Sequence, residues 1–197
     1  MFVAIEGIEG SGKSTLLSGL EGRLLAAGRE PLVTREPGGT PVGDAIRAIF
    51  LSRSFHISAL CEALLVSAAR AQHVTQAIRP ALAAGRIVLC DRFVDSTLAY
   101  QGYGRGLDLA VLRDLCAVAT GGLEPDVTFV LDVPVATSRL RTAARRPETD
   151  RVEAEDDAFH ERVRAGFLAL GNSPGHYVLD GSLDAEALVD RAMAVLA

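Results

Sequence analysis

The sequence predicts an α/β fold, a doubly wound parallel sheet with helices on both faces. Three observations predict it. Short apolar, β-branched runs alternate with longer segments of helical period five times along the chain, the order that builds right-handed βαβ crossovers. The short runs are apolar almost without a break, as strands buried on both faces are; a half-exposed sheet would alternate. With 197 residues, 49% apolar and 23% charged, the chain is long enough to close one core and too ordinary in composition for disorder or a fibre.

Strands are expected at 2–6, 31–34, 86–90, 127–132 and 176–179. A helix over 13–27 follows the first strand and stops at Gly28, and 42–51 makes a second. Residues 59–84 form a third that stops at Gly85, with Pro80 expected to kink or break it because proline has no N–H to give. Further helices are expected at 109–120, 135–144, 153–170 and 185–196. The stretch 145–157 is polar, of mixed charge, and carries Pro147; it reads as a mobile flap, a lid at about 141–155, and not as a domain boundary. With no repeat or linker, 1–197 is expected to be a single domain.

Composition removes several classes of function. A net charge of −5 disfavours a partner bound through sequence-independent phosphate contacts, such as bulk DNA or RNA, but not a small anion held at one site. Cys61, Cys90 and Cys116 form no CxxC pair, so neither a disulfide framework nor a zinc knuckle is expected; free thiols suit a reducing cytoplasm. The opening residues carry no basic leader, and no uncharged apolar run approaches the ~18 residues of a membrane span.

The 20 basic residues comprise 19 arginines and one lysine, Lys13. It stands in Gly7-Ile8-Glu9-Gly10-Ser11-Gly12-Lys13-Ser14, a match to G-x-x-x-x-G-K-[ST] between an expected strand and an expected helix. Glycines let backbone N–H groups turn inward around phosphate oxygens, and the helix N-terminus adds positive potential. Lys13 would reach the β- and γ-phosphates, and the Ser14 hydroxyl would ligate magnesium. By composition alone such a match arises in roughly one chain in a thousand, so a Gly-rich turn of no function is a poor explanation. A second lysine for the Asn-Lys-x-Asp box that reads guanine does not exist, which removes a GTPase. The strand at 86–90 runs into Asp91-Arg92, not the Asp-Glu of a transport or remodelling ATPase. An acid followed by a base at that end of a strand suits a second anionic substrate facing ATP, hence a small-molecule kinase.

Other stretches read ambiguously when taken alone. Residues 35–39, Arg-Glu-Pro-Gly-Gly, are a turn or a binding loop. Arg70 interrupts an apolar helix face and either snorkels to solvent or serves a site. Asp91 either pairs with Arg92 or holds the water shell of magnesium. Thr97 and Gln101, four apart, would share one helical face. The arginines of the flap, Arg139, Arg141, Arg145, Arg146 and Arg151, would be a solvated charge run on any ordinary surface.

Together these segments resemble the bacterial thymidylate kinases, a family of P-loop nucleoside monophosphate kinases. The resemblance runs through 7–15, Thr34-Arg35-Glu36-Pro37-Gly38-Gly39-Thr40, Ser67-Ala68-Ala69-Arg70, Asp91-Arg92-Phe93, 95–102 and Asp150-Arg151, and so covers nearly the whole chain. It implies a P-loop NTPase-like three-layer fold with a five-stranded parallel sheet. It implies transfer of the γ-phosphoryl group of Mg-ATP to thymidine 5′-monophosphate (dTMP). ATP would be held by Gly7, Ile8, Glu9, Gly10, Ser11, Gly12, Lys13, Ser14 and Thr15, and magnesium by Ser14 and Asp91. Arg47 and Arg92 resemble the arginines that grip the acceptor phosphate. Glu9, Glu36, Pro37, Val66, Arg70, Thr97, Tyr100 and Gln101 match positions around the acceptor's sugar and base, with Arg70 on the thymine edge and Tyr100 against the sugar. Lys13 and Arg92, with Arg145, Arg146 and Arg151 from the lid, would carry catalysis. The resemblance also implies a homodimer in the cytoplasm with nucleotides as partners, and no nucleic acid or membrane.

One departure stands out. Where the family places a Phe that stacks on thymine, this chain has Val66, which keeps open another base preference or a compensating ring such as Phe50 or Phe93. A nucleotide-binding module without catalysis is the alternative from another class, and release of ADP when dTMP is present would exclude it.

Overall fold

The structure, a computed structural model, describes residues 1–145 and 149–196. Five strands stand where the sequence puts them: β1 (Phe2–Glu6), β2 (Leu32–Arg35), β3 (Val88–Asp91), β4 (Val127–Asp132) and β5 (His176–Asp180). They form one sheet in the order β2-β3-β1-β4-β5, with every neighbouring pair parallel. The order places β1 centrally, where the chain first builds to one side and then to the other. A sheet wound this way opens a crevice at the carboxyl ends of the strands beside that reversal.

Alternation along the strands divides the core between two faces. Val3 and Ile5 of β1, Leu89 of β3, and Phe129 and Leu131 of β4 pack against Leu16, Leu17, Leu20 and Leu24 of α1 (Lys13–Ala26) and Leu188, Val189 and Ala192 of α9 (Ala185–Leu196). On the opposite face Phe2, Ala4, Val88 and Cys90 meet Val74 and Ile78, while Val130 joins a cluster with Ala63, Leu112, Phe159 and Phe167. That face is built by α3 (Ala59–His73), α6 (Leu109–Thr120) and α8 (Asp157–Leu170). The remaining helices are α2 (Pro41–Leu51), α4 (Arg79–Ala83), α5 (Val94–Thr97) and α7 (Val135–Arg145).

Several ends shift by one or two residues from those expected, β3 starting at Val88 and not at 86, and three differences are larger. The helix at 59–84 is not continuous: α3 passes into a π-helical turn at Val74–Ile78, and α4 restarts with Pro80 in its first turn. Pro80 cannot donate to the carbonyl four residues earlier, and the widened turn accommodates that loss. The helix expected from 153 begins at Asp157, because the side chain of Asp156 accepts from Phe159 N at 2.7 Å and so marks the cap. A helix not expected among the elements runs from α5 into π-helical turns at Leu98–Gly104. Its Gly104 lies so close to α8 that a Cβ there would stand 2.7 Å from the Phe159 ring.

Candidate active site

The turn from β1 to α1 is the phosphate loop. Gly7 has φ +134°, and a Cβ on it would lie 2.5 Å from the Leu131 carbonyl, so only glycine lets the loop leave the sheet this way. Gly12 ends the loop at φ +106°, and α1 starts at Lys13 with the amides of its first turn unbonded within the helix. Lys13 is buried and folds back, Nζ donating to the carbonyls of Gly7 (3.0 Å) and Ile8 (2.9 Å). Burial, reinforced by the charge of Arg92, pushes its pKa down to about 8; Asp91, Glu9 and Glu6 oppose that shift. Such an ammonium lacks a full counter-charge, and a phosphate would supply it. Ile8 turns its side chain into the core, so it can offer a ligand only its backbone.

A single cavity of about 750 Å³ joins this loop to the groove between α2, α3 and the 94–104 helix. Glu9, Gly10, Gly12, Lys13, Ser14 and Thr15 line one part. Glu36, Pro37, Arg47, Val66, Arg70, Asp91, Arg92, Thr97, Tyr100 and Gln101 line the rest. Gly7, Ile8 and Ser11, also expected around ATP, are buried and do not line the cavity.

Arg92 is the one residue other than glycine with a left-handed backbone among the described residues, at φ +71°. Such a conformation is uncommon outside turns and costs on the order of 1 kcal/mol or more. Its neighbours hold it there. Glu6, at the buried end of β1, accepts from Phe93 N (2.7 Å), Ser96 N (3.2 Å) and Ser96 Oγ (2.6 Å), capping the 94–104 helix in place of a local side chain. The guanidinium donates to Gly7 O and Ser96 Oγ (3.0 Å each), to Glu9 (2.8 Å) and to Tyr100 (3.2 Å). Tyr100 in turn donates to Glu9 at 2.7 Å. Burial alone would raise the Glu9 carboxyl, but Arg92 and Lys13 outweigh it and hold it at about 2. Burial pushes Glu6 up to about 7, with the nearby Asp95 charge adding to the rise.

Arg47 reaches the same space and donates to Pro37 O at 3.0 Å. Burial, and then repulsion from Arg35 and Arg92, lowers its pKa from the ordinary guanidinium value. Cations gathered around open space at mutual cost mark a site for an anion. Deeper in, Arg70 is 2% exposed and does not snorkel. It donates to Glu36 (2.7 Å), Thr97 Oγ1 (3.0 Å) and Phe93 O (2.8 Å). The other oxygen of Glu36 accepts from His73 Nδ1 at 2.9 Å, whose second nitrogen faces the Thr34 hydroxyl at 2.7 Å.

Asp91 is not paired with Arg92, whose guanidinium goes to Glu9. Its Oδ1 is buried and has no hydrogen-bond partner, while the Ser14 hydroxyl lies on the same cavity wall. An orphaned carboxylate oxygen and a hydroxyl are the hard donors magnesium accepts, with water and nucleotide phosphate completing its shell. Among the described residues no group of three or more His, Cys, Asp or Glu side chains could hold a metal by itself.

The lid arginines divide. Arg141 donates to Gly10 O (3.2 Å) and Gly181 O (2.8 Å), at the mouth of the phosphate loop. Arg139 binds Asp157 and the carbonyls of Glu153 and Glu155. Arg151 turns away, donating to Glu62 and to Phe50 O (3.0 Å) with its guanidinium over the Phe50 ring. Arg145 ends α7, and Arg146 lies outside the described residues. Sequence reasoning passed over Glu6, Ser96, His73 and Glu62. An acid closing an apolar strand was a signal for Glu6, and its spacing of eight from Arg70 was one for Glu62.

A phosphate loop, a carboxylate suited to magnesium and an arginine-lined anion pocket in one cavity define a P-loop kinase that phosphorylates a small anionic acceptor. The thymidylate kinase family model matches residues 5–192, and the chain belongs to that family. It is 50% identical to the thymidylate kinase of Desulfovibrio desulfuricans, over 96% of this chain and 91% of that protein. It is 53% identical to that of Deinococcus radiodurans, over 88% and 84%. Among solved structures, the crystal structure of thymidylate kinase from Ehrlichia chaffeensis superposes with a TM-score of 0.80 at 32% identity, covering 100% of this chain and 98% of that one.

Proposed function

We propose that this protein transfers the γ-phosphoryl group of Mg-ATP to dTMP, giving dTDP and ADP. The observation that carries the proposal is the continuity of the cavity. The loop that would hold the donor phosphates and the arginines that would hold the acceptor phosphate line one space, so the two reacting groups can meet in line.

The acceptor needs no general base, since a phosphate monoester with second pKa near ~6 is largely a dianion at pH 7. The work falls to positioning and charge. Lys13 exchanges the carbonyls of Gly7 and Ile8 for phosphate oxygens. Arg92 and Arg47 clamp the acceptor phosphate, with Glu9 and Tyr100 aiming Arg92 at it. Arg70, Thr97 and Gln101 meet the base; Glu36 and Pro37 border it, and Val66 and Phe50 supply apolar wall. Ser14 and Asp91 hold magnesium, which when bound neutralises charge on the phosphates. Residues of about 141–155 act as a lid within a single domain, bringing Arg145, Arg146 and also Arg141 to the transferring group, while Arg151, expected among them, stays with Glu62 and Phe50 O. Arginines placed so are worth on the order of 10³ in rate.

The reading includes a homodimer in the cytoplasm, without nucleic-acid or membrane partners. Supporting a dimer, α2, α3 and α6 pack side by side and expose Ile49, Leu60, Leu64, Val111 and Val118. Among the described residues no helix is long and apolar enough to cross a membrane. The test is a steady-state panel of dTMP, dUMP, UMP, CMP and GMP with ATP, following ADP. The expected order places dTMP first; a preference for CMP or GMP would sink the assignment.

A further inference from the structure

The groove between α3 and the 94–104 helix is built as a ladder. Glu62, Val66 and Arg70 lie four apart along α3 and so share one stripe of its surface. Thr97 and Gln101 form the facing stripe. Two rungs join them: Arg70 donates to Thr97 Oγ1 at 3.0 Å, and Gln101 Nε2 donates to Glu62 Oε2 at 3.0 Å. Val66 lies between the rungs. Glu62 is 1% exposed and also pairs with Arg105 (2.9 Å) and with Arg151.

We infer that Glu62 is a positioning residue for base selection: it orients the Gln101 amide so that its carbonyl, not its NH₂, faces the bound base. The inference rests on the reading of this cavity as the dTMP pocket. A carboxylate between two guanidiniums only accepts hydrogen bonds, so the NH₂ must turn toward it and Oε1 away. Gln101 lines the cavity, and no protein donor among the described residues reaches its Oε1. Arg70 commits Nε and both terminal nitrogens to Glu36, Thr97, Cys116 and Phe93, with one terminal N–H to spare. The groove therefore offers one donor and one acceptor across two helices. That pair matches the O4 acceptor and N3–H donor of thymine or uracil. It opposes cytosine, whose N4 amine would face the Arg70 donor and whose bare N3 would face the Gln101 carbonyl. A site built of buried polar groups rejects a mismatched partner strongly, because the mismatch strands those groups unpaired.

The test measures kcat/KM for dTMP and dCMP side by side. Glu62→Gln keeps the shape but presents an amide, which tolerates either orientation of Gln101. The dTMP:dCMP ratio is expected to fall at least tenfold, and Glu62→Asp, still acceptor-only, is expected to retain most of it. If Glu62→Gln lowers both rates equally and leaves the ratio intact, Glu62 is merely structural and the inference is overturned. Should that variant not fold, Glu62→Gln/Arg151→Gln removes the cation it strands and reads the same ratio, since a general loss of rate cancels. Gln101→Met separates the layers. If it leaves the ratio unchanged, the placement of the base against Gln101 is wrong; if it collapses the ratio while Glu62→Gln does not, only the role of Glu62 fails.

Discussion

Replacing Glu6 by Gln should stabilise the protein at neutral pH, although it removes a carboxylate that accepts three hydrogen bonds. Burial and the Asp95 charge raise Glu6 from its ordinary 4.5 to about 7. A carboxyl whose pKa rises on folding binds its proton more tightly in the folded chain. Its stabilising contribution is thus complete below pH 4.5 and is lost as pH climbs through 7. At ~1.4 kcal/mol for each tenfold change in proton affinity, the loss comes to about 3 kcal/mol, to order of magnitude. The amide that Glu6→Gln introduces mimics the protonated acid: its oxygen can accept from Phe93 N and Ser96 N, and its NH₂ can donate to Ser96 Oγ, so the cap on the 94–104 helix survives. Urea unfolding of both proteins from pH 4.5 to 8 gives the comparison. The two should agree near pH 4.5 and diverge to about 3 kcal/mol in favour of the variant by pH 8. The pKa of His176, raised by its hydrogen bond to Asp95, makes stability fall over an overlapping range, but in both proteins. Parallel curves, or a variant less stable at pH 8, would refute the reasoning that Glu6 carries a charge in the core only under strain.

Three further outcomes are expected. Val66→Phe adds a ring to the groove wall beside Phe50 and should tighten dTMP binding by up to about tenfold; unchanged or weaker binding by calorimetric titration would mean the pocket is misread. Arg92→Lys keeps the charge but gives up at least two of the hydrogen bonds made by the fork, worth about 2–4 kcal/mol, so kcat/KM for dTMP should fall about 30- to 1000-fold while the KM for ATP moves less than threefold; an equal effect on both substrates would contradict its assignment to the acceptor side. Arg141→Ala should lower kcat at least tenfold at saturating substrates, and a kcat within twofold of the parent would remove Arg141 from the lid set.

What could be read from the sequence follows from how local each signal is. The phosphate loop was legible because its glycines, lysine and hydroxyl act through backbone geometry within a few residues. The strands were legible as elements because their apolar runs are short and unbroken, but their ends shift by up to two residues, and the edge strands β2 and β5 are partly exposed where burial on both faces was expected. The 94–104 helix was legible only in part: the spacing of Thr97 and Gln101 suggested a helical face, but no local signal gave its extent or its π-helical turns, and Gly104 is small because α8 presses against it. Glu62 carried only a weak signal, its spacing of eight from Arg70, which says nothing of its burial. On a helix a lone acid usually faces water, and this one is buried by Arg105, 43 residues away, and Arg151, 89 residues away. Arg70 could be singled out by its apolar surroundings, yet its partners Glu36, Thr97 and Phe93 appear only once three elements meet. The destination of each lid arginine was hidden for the same reason, as Arg141 and Arg151 differ in what lies opposite them and not in their own neighbours.

Phosphoryl transfer to dTMP is tested most directly by following the phosphoryl group itself. ATP labelled in its γ-phosphate is incubated with dTMP, magnesium and either the parent protein or Lys13→Ala, and the nucleotides are separated. Label is expected in the terminal phosphate of dTDP with the parent, and Lys13→Ala is expected to lower that product by several orders of magnitude. Label released as inorganic phosphate in place of dTDP, or full transfer by the lysine variant, would contradict the proposed function.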